Sequence, residues 1–369
     1  MKFEINREIF LDGIQKTLGI VEKKTTMPIL NTILINAEKN KIKITATDRE
    51  ISLISDYEAN VSEEGEIAVL AKMLYDMVRE IPGEVVDFYE KSKTVKISSQ
   101  RTFYKMSGYS AEEFPVVSPD DEAPLFKING SVMKSLINKT AFAMSMNETQ
   151  KNINGVFFEV SIDGVSSILK MVATDGHRLS LAKSAPLESS IRIGRGVIIP
   201  KKGLIEVRKV VDEYNEVMIG VAKNTFIVRA DNVLLKVGLV DADYPDYKKV
   251  IPKEKGINLV LDRETFLHAL RRMSVVSSER YGGVILSFSK GKLVLNSTNL
   301  DKGEAMEEID VDYDGEAVDC GFNVSYLIDA ISVIDTDQVI FDVGLGLKPS
   351  VVRNVDDDSY LCIIMPLKL

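Results

Sequence analysis

Phe3-Glu4-Ile5-Asn6 decides the fold, because the chain repeats the pattern as Phe126-Lys127-Ile128-Asn129 and again as Leu259-Val260-Leu261-Asp262. Each stretch ends in Asn or Asp, residue types that readily cap a helix N-terminus. Seven residues past each start stands an apolar anchor, Phe10, Met133 or Phe266. The stripe continues through Ile14 and Leu18, through Ile137 and Thr140, and through Leu270 and Met273, the spacing of an amphipathic helix.

Working outward, further matches keep the same order. Ala46-Thr47-Asp48, Ala173-Thr174-Asp175 and Ser297-Thr298-Asn299 each close a strand-like run, at 41–45, 167–172 and 292–296. Each segment then finishes with a strand and a proline: Phe114-Pro115, Tyr244-Pro245 and Met365-Pro366. Equivalents lie about 125 residues apart, an ordinary domain length. Each repeat is itself double. In the first, a strand, a helix and strands near Ile33, Ile42 and Leu53 are followed by strand Glu66 to Val69, helix Leu70 to Ile81 and strands near Val86, Val95 and Tyr104. The second helices of the other repeats fall at 201–211 and 324–334, and the charged, proline-containing stretches 114–124 and 251–256 read as linkers. The expected class is α+β, with three similar domains at 1–118, 124–247 and 256–369, each a doubled β-α-β-β-β unit.

With 369 residues, 45% of them hydrophobic, each domain has enough apolar surface for its own core. No run approaches the about 20 apolar residues of a membrane span. The opening Met1-Lys2-Phe3-Glu4-Ile5-Asn6 lacks a basic-then-apolar leader, so a cytoplasmic protein is expected. Cys320 and Cys362 are too few for a disulfide framework and read as small buried hydrophobes. A net charge of -9 argues against an ordinary basic DNA binder unless cations gather on one face.

Little in the sequence points to catalysis. His268 sits in a helical pattern as a surface or packing residue, and His177 follows Asp175 in Thr174-Asp175-Gly176-His177-Arg178. No Gly-x-Ser-x-Gly elbow supplies a nucleophile, and neither a phosphate loop nor a Cys/His cluster with metal spacing is present. Asp356-Asp357-Asp358 reads as a solvated loop. No catalytic residue, metal or cofactor is expected.

Four motifs add a resemblance: Val172-Ala173-Thr174-Asp175-Gly176-His177-Arg178-Leu179, Tyr244-Pro245-Asp246-Tyr247, Gly321-Phe322-Asn323-Val324-Ser325-Tyr326 and the ending Met365-Pro366-Leu367-Lys368-Leu369. In combination, and over the whole chain, they resemble the β subunit family of bacterial DNA polymerase III. The resemblance implies a sliding clamp: two chains closing head to tail into a six-domain ring, helices inside and sheets outside, around double-stranded DNA. It implies a peptide-binding pocket that tethers the replicative polymerase, the clamp loader, and other polymerases and repair proteins carrying a short apolar motif. By matching motifs, that pocket falls on Ile153, Thr174, Gly176, His177, Arg178, Leu179, Pro245, Val250, Ile363, Met365, Pro366 and Leu367. Lys249 stands where the family often has arginine, so a bidentate contact is not expected there. The dimer contact carries over to Phe103, Tyr104 and Met106 of one copy and Val275 and Val276 of the other. Candidate DNA contacts are Lys24, Lys72, Lys201, Lys202, Arg208 and Arg271 on or beside helices, and Lys151 in the 147–152 loop. Lys16 and Lys139 belong to the same basic pattern. Two other readings remain open: a hydrolase using Asp175 and His177, and a three-domain interaction scaffold that never meets DNA.

Overall fold

In the computed structural model, which describes residues 1–21, 27–118, 124–187, 193–253, 256–277 and 283–368, six helices occupy the expected places. They are α1 (Arg7–Thr17), α2 (Ala71–Glu80), α3 (Gly130–Thr140), α4 (Lys201–Glu213), α5 (Arg263–Val276) and α6 (Val324–Ser332). Asn6 turns strand into helix by accepting the N–H groups of Glu8 and Ile9 at 2.9 and 3.2 Å. Asn129 does the same for Ser131, Asp262 for Thr265 and Asn323 for Ser325. Each such cap stabilises its helix by about 1 kcal/mol. The anchors Phe10, Ile14, Met133, Ile137, Phe266, Leu270 and Met273 are all buried. α6 stops at Ser332, two residues short of the expected end, and Ile334 closes it with a tight turn onto Ile331. No described helix is long and apolar enough to cross a membrane.

The packing groups into two compact units, Met1–Ser131 with Lys202–Leu239, and Val132–Lys201 with Val240–Leu369. These do not coincide with the three repeats, because sheets run across the repeat boundaries. In the first unit an eight-stranded antiparallel sheet joins strand Val233–Gly238 of the middle repeat to strand Ile51–Glu58 of the first, with Leu235 opposite Leu53. Its five-stranded companion ends on strand Thr102–Ser107. Phe3, Phe10 and Phe88 pack beneath that smaller sheet, Phe3 stacked on Phe88 at 4.7 Å and Phe10 edge-on at 6.0 and 6.3 Å.

The second unit repeats the plan. Strand Arg178–Lys183 of the middle repeat lies antiparallel to strand Tyr360–Ile364 of the third inside another eight-stranded sheet, with Ser180 opposite Cys362. A four-stranded sheet, edged by strands Gly303–Asp310 and Val318–Asn323, completes it. Phe266, Phe322 and Phe341 form its aromatic core, with centroids 5.8 and 5.7 Å apart.

Both cysteines are free and buried. Burial pushes the Cys362 thiol up to about 12 and raises that of Cys320 as well. The folded protein is therefore expected to leave both thiols unmodified by an aromatic disulfide reagent at pH ~8, where an exposed thiol reacts, and to consume two equivalents only on denaturation. Rapid modification of the native protein would contradict this packing.

Candidate functional site

The Ala-Thr-Asp motif is a turn built three times. Asp175 Oδ1 accepts the backbone N–H groups of His177 and Arg178, both at 2.9 Å. Asp48 accepts those of Glu50 and Ile51 at 2.9 and 2.6 Å, and Asn299 those of Asp301 and Lys302 at 2.9 and 3.3 Å. A short acceptor side chain at the end of a strand is what such a reversal needs. Gly176 takes φ +89 in this turn, where a side chain is strained. The other oxygen of Asp175 receives Arg178 Nε at 3.1 Å. The carboxylate is thus committed to the turn, and His177 gives it only a backbone N–H, which leaves the hydrolase reading without an oriented imidazole.

Arg178, expected at the pocket, is held by several partners at once. Its guanidinium also donates to Asp329 Oδ2 and to the carbonyl of Phe142, each at 2.6 Å. It lies 4.3 Å from the centroid of the Tyr326 ring and 5.2 Å from that of Phe142. Burial disfavours its charge, but hydrogen bonding to Asp329 and the charges of Asp329 and Asp175 more than offset this and raise its pKa. The residue ties the turn to α6 and to the segment after α3.

The C-terminal tail is held at both ends. Met365 N–H bonds to His177 O at 2.9 Å, and Leu367 N–H to Gly321 O at 2.8 Å. Between tail and turn, Ile363 faces Leu179 across the strand pair. These two are buried with Val172, Leu181 and Tyr247, and form an apolar floor. Beside it opens a cleft of about 980 Å³, within the size range of ligand sites. Val250, Ile363 and Met365 of the expected set line it, together with Ile251, Val351 and Leu361, which sequence reasoning missed. Lys183, Lys249, Lys253 and Arg353 line it too, against Asp342 and Asp358. Lys249 pairs with Asp246 at 3.3 Å. Thr174, Gly176, His177, Pro245, Pro366 and Leu367 belong to the turn, the Tyr244–Tyr247 segment and the tail around the floor, without lining the cleft. Ile153 is buried in a separate turn, its carbonyl accepting Ser145 N–H at 3.1 Å.

The equivalent hairpin of the first unit shapes a smaller cleft, about 470 Å³, lined by Thr47, Arg49, Glu50, Ser52 and Lys236 among others. Lys236 faces Ser52 there, where the second unit pairs Ile363 with Leu179. The backbone plan is shared, but only the second of these two clefts has an apolar floor.

Models of the DNA polymerase III beta subunit match in three consecutive blocks: the N-terminal domain at 1–118, the central domain at 127–246 and the C-terminal domain at 248–368. The beta sliding clamp of Pseudomonas aeruginosa is 32% identical over 373 residues, covering 100% of both chains. The chain belongs to the DNA polymerase III β subunit family, the sliding clamps. Its role is that of the family: processivity for DNA polymerase III, with no chemistry of its own. Among solved structures, the Caulobacter crescentus sliding clamp is similar at a TM-score of 0.93 and 31% identity, covering 100% of both chains. A sliding clamp from Bartonella birtlesii bound to griselimycin is similar at a TM-score of 0.94 and 30% identity, also over 100% of both chains.

For a sliding clamp the cations matter next. Lys72, Lys202 and Arg208 are exposed but carry their own carboxylates, Asp76 at 2.7 Å, Asp48, and Asp212 at 3.6 Å. Arg271 and Lys151 are exposed, while Lys201 is half-buried with Nζ 2.9 Å from Met146 Sδ. Lys24 lies outside the described residues. Lys16 is drawn in between Asp12 and Glu213, at 2.5 and 2.6 Å, and Lys139 pairs with Asp335 at 3.3 Å. Of the expected dimer contacts, Phe103 and Val275 are 57% and 74% exposed. Tyr104 and Val276 are half-buried. Met106 is buried within its own unit, on the strand face opposite Phe103.

Beneath the cleft, Tyr244 stacks on Phe157 at 4.8 Å and Tyr247 donates to Glu159 at 2.7 Å. Burial raises both phenols well above the ordinary tyrosine range, and the bond to Glu159 adds to the effect at Tyr247. A phenol kept protonated by the fold stabilises it fully below pH ~10 and loses that contribution as pH rises through its folded value. Absorbance titration at 295 nm should therefore show fewer than the chain's 12 tyrosines ionising near the ordinary value, the rest appearing only as the protein unfolds in alkali. A single native wave containing all 12 would refute this.

Proposed function

We propose that two copies of this chain close head to tail into a ring of six domains around duplex DNA, and that the cleft beside Ile363 and Met365 holds polymerase and other partners on that ring. The domains would run 1–118, 124–247 and 256–369, in the cytoplasm where replication takes place. One observation carries the reading. Each internal repeat boundary is bridged by a continuous antiparallel sheet, while Thr102–Ser107 and Gly303–Asp310 are left at sheet edges. A second copy, turned head to tail, would cover both edges.

Inside such a ring, Lys72, Lys201, Lys202, Arg208 and Arg271 would meet phosphates without reading bases, with Lys151 and Lys24 as further contacts. Exposed ion pairs such as Lys72 with Asp76 are worth at most about 1 kcal/mol, so these cations exchange partners readily as the ring moves. Retention then rests on encirclement, and a partner on the ring sees a raised effective concentration of primer ends. The expected ligand of the cleft is a short peptide with apolar anchors for the Leu179–Ile363 floor and an acidic residue for the lysines at the rim. The replicative polymerase, the clamp loader, and other polymerases and repair proteins would each bring one.

Loaded protein should stay on circular plasmid at a salt concentration that strips direct phosphate contacts, a rise from ~50 to ~200 mM costing six to ten of them about 10³–10⁵ in affinity. It should leave once the plasmid is linearised. Equal loss from both forms would overturn encirclement. In a fluorescence-anisotropy assay with such a peptide, Val250→Glu and Met365→Ala are expected to weaken binding about tenfold or more with unchanged melting temperature. Unaltered binding in both variants would place the partner site elsewhere.

A further inference from the structure

The cleft beside Ile363 is built on one face of its sheet, and strand register fixes which side chains share that face. Residues directly opposite one another, and residues two apart along a strand, point to the same side. Leu179 faces Ile363 and Ile363 faces Val351, which makes an apolar row. Two residues along, Leu181 faces Leu361 and Leu361 faces Arg353. Two residues beyond Leu181 stands Lys183, opposite Lys170. Apolar side chains thus give way to cations over two steps of about 7 Å each.

The cations at that end are placed at a cost to the fold. Like charges directly opposite on neighbouring strands repel. Lys170 is answered by Glu159, 3.7 Å from its Nζ, a carboxylate that also accepts the Tyr247 hydroxyl at 2.7 Å. Lys183 and Arg353 are half-buried, and neither makes an ion pair among the described residues. The half-buried Lys16, Lys139 and Arg178 by contrast each hold carboxylates. Of the acids on the cleft, Asp342 already accepts the N–H of Gly256 at 2.7 Å, and Asp358 is exposed. Lys253 and Lys348 also line the cleft and add to its positive charge. A cation held partly out of water without a counter-ion is unfavourable, and an arriving carboxylate removes the penalty.

An extended chain matches this spacing. Its alternate side chains lie on one side about 7 Å apart. An anchor over Ile363 and Val351 therefore brings the residue two positions away to Arg353, and the residue four positions away to Lys183. The residues between them face outward.

We propose that the occupant of this cleft is an extended partner segment in which acidic residues stand two and four positions from an apolar anchor, held by Arg353 and Lys183. This rests on the reading of the cleft as the partner site, and adds the charge and register that select among partners. Fluorescence anisotropy with the whole protein would compare labelled peptides in which two leucine anchors are followed, or in a second set preceded, by glutamates. In one of the two sets, glutamates two and four positions from the nearer anchor should tighten binding about tenfold over glutamines at the same positions. Glutamates one and three positions away should gain less than about threefold. Equal gains in both registers, or no gain in either set, would overturn the inference, and binding of the glutamine peptides would leave the partner site standing. Failure of every leucine peptide to bind would overturn that reading as well.

Arg353→Gln and Lys183→Gln should each bring the favoured glutamate peptide to within about threefold of its glutamine counterpart, whose own binding reports that the variant is folded. A ratio still at about tenfold in both variants would remove the acidic contact from these residues. Displacement of the glutamate peptide by a single-stranded oligonucleotide, with the glutamine peptide left in place, would assign the cations to nucleic acid instead.

Discussion

A sheet edge is a row of unpaired N–H and C=O groups, and the need to pair them organises this molecule. At each internal repeat boundary the answer is the same: the edge of one repeat is completed by the edge of the next. Register there is fixed by side-chain alternation. A slip of one residue at the first joint would turn Leu235 and Leu53, both buried, toward the opposite face. The cost of such a slip is several apolar side chains moved into water, each about 1.5–3 kcal/mol. This is why packing groups the chain into units that cut the middle repeat. Half of that repeat belongs to a sheet shared with the first, and half to a sheet shared with the third.

The same repetition separates architecture from chemistry. Asp48, Asp175 and Asn299 all make one turn with the same pair of backbone hydrogen bonds, so the motif that first suggests a catalytic Asp–His pair is a folding device used three times. What differs is the pair of residues across the neighbouring joint. Leu179 with Ile363 gives an apolar floor, and Ser52 with Lys236 gives a polar one. A peptide anchor gains free energy by leaving water only at the first. Of the two hairpin clefts among the described residues, one is therefore suited to an apolar ligand, although the backbone plan would serve at both.

Much of this is legible in the sequence because it is local. The caps at Asn6, Asn129 and Asp262, the helical stripes from Phe10, Met133 and Phe266, and the buried cysteines follow from residue type and spacing within a dozen positions. The tail is legible as well: a run from Leu361 to Leu367 is too apolar to fray, and it is pinned by His177 and Gly321. What is not legible depends on partners far apart in sequence. Arg178 meets Asp329 across 151 positions, and nothing in its own neighbourhood announces that ion pair. Tyr326 and Asp329, three apart on α6 and so on one helical face, are the available signal. Lys16 reads like any helical lysine until Glu213 is placed beside it. Glu304, Met306 and Glu308 alternate along one strand face, but that pattern marks a sheet edge only once the neighbouring strands are known.

An acidic protein that works on DNA is not a contradiction if adhesion is the wrong demand. With a net charge of -9, direct affinity for a polyanion is weak, and the exposed cations Lys72 on α2 and Arg208 on α4 are already matched by Asp76 and Asp212 one turn away. Such pairs stabilise their helices slightly and hold the lysine or arginine ready without making it sticky. Strong phosphate binding would pin a ring to one place, whereas pairs worth a fraction of a kcal/mol let it exchange one phosphate for the next. The burden of staying on DNA then moves to the joints. Weak holding of phosphate and firm closure are two parts of one requirement, because a ring that slides freely is useful only while it remains closed.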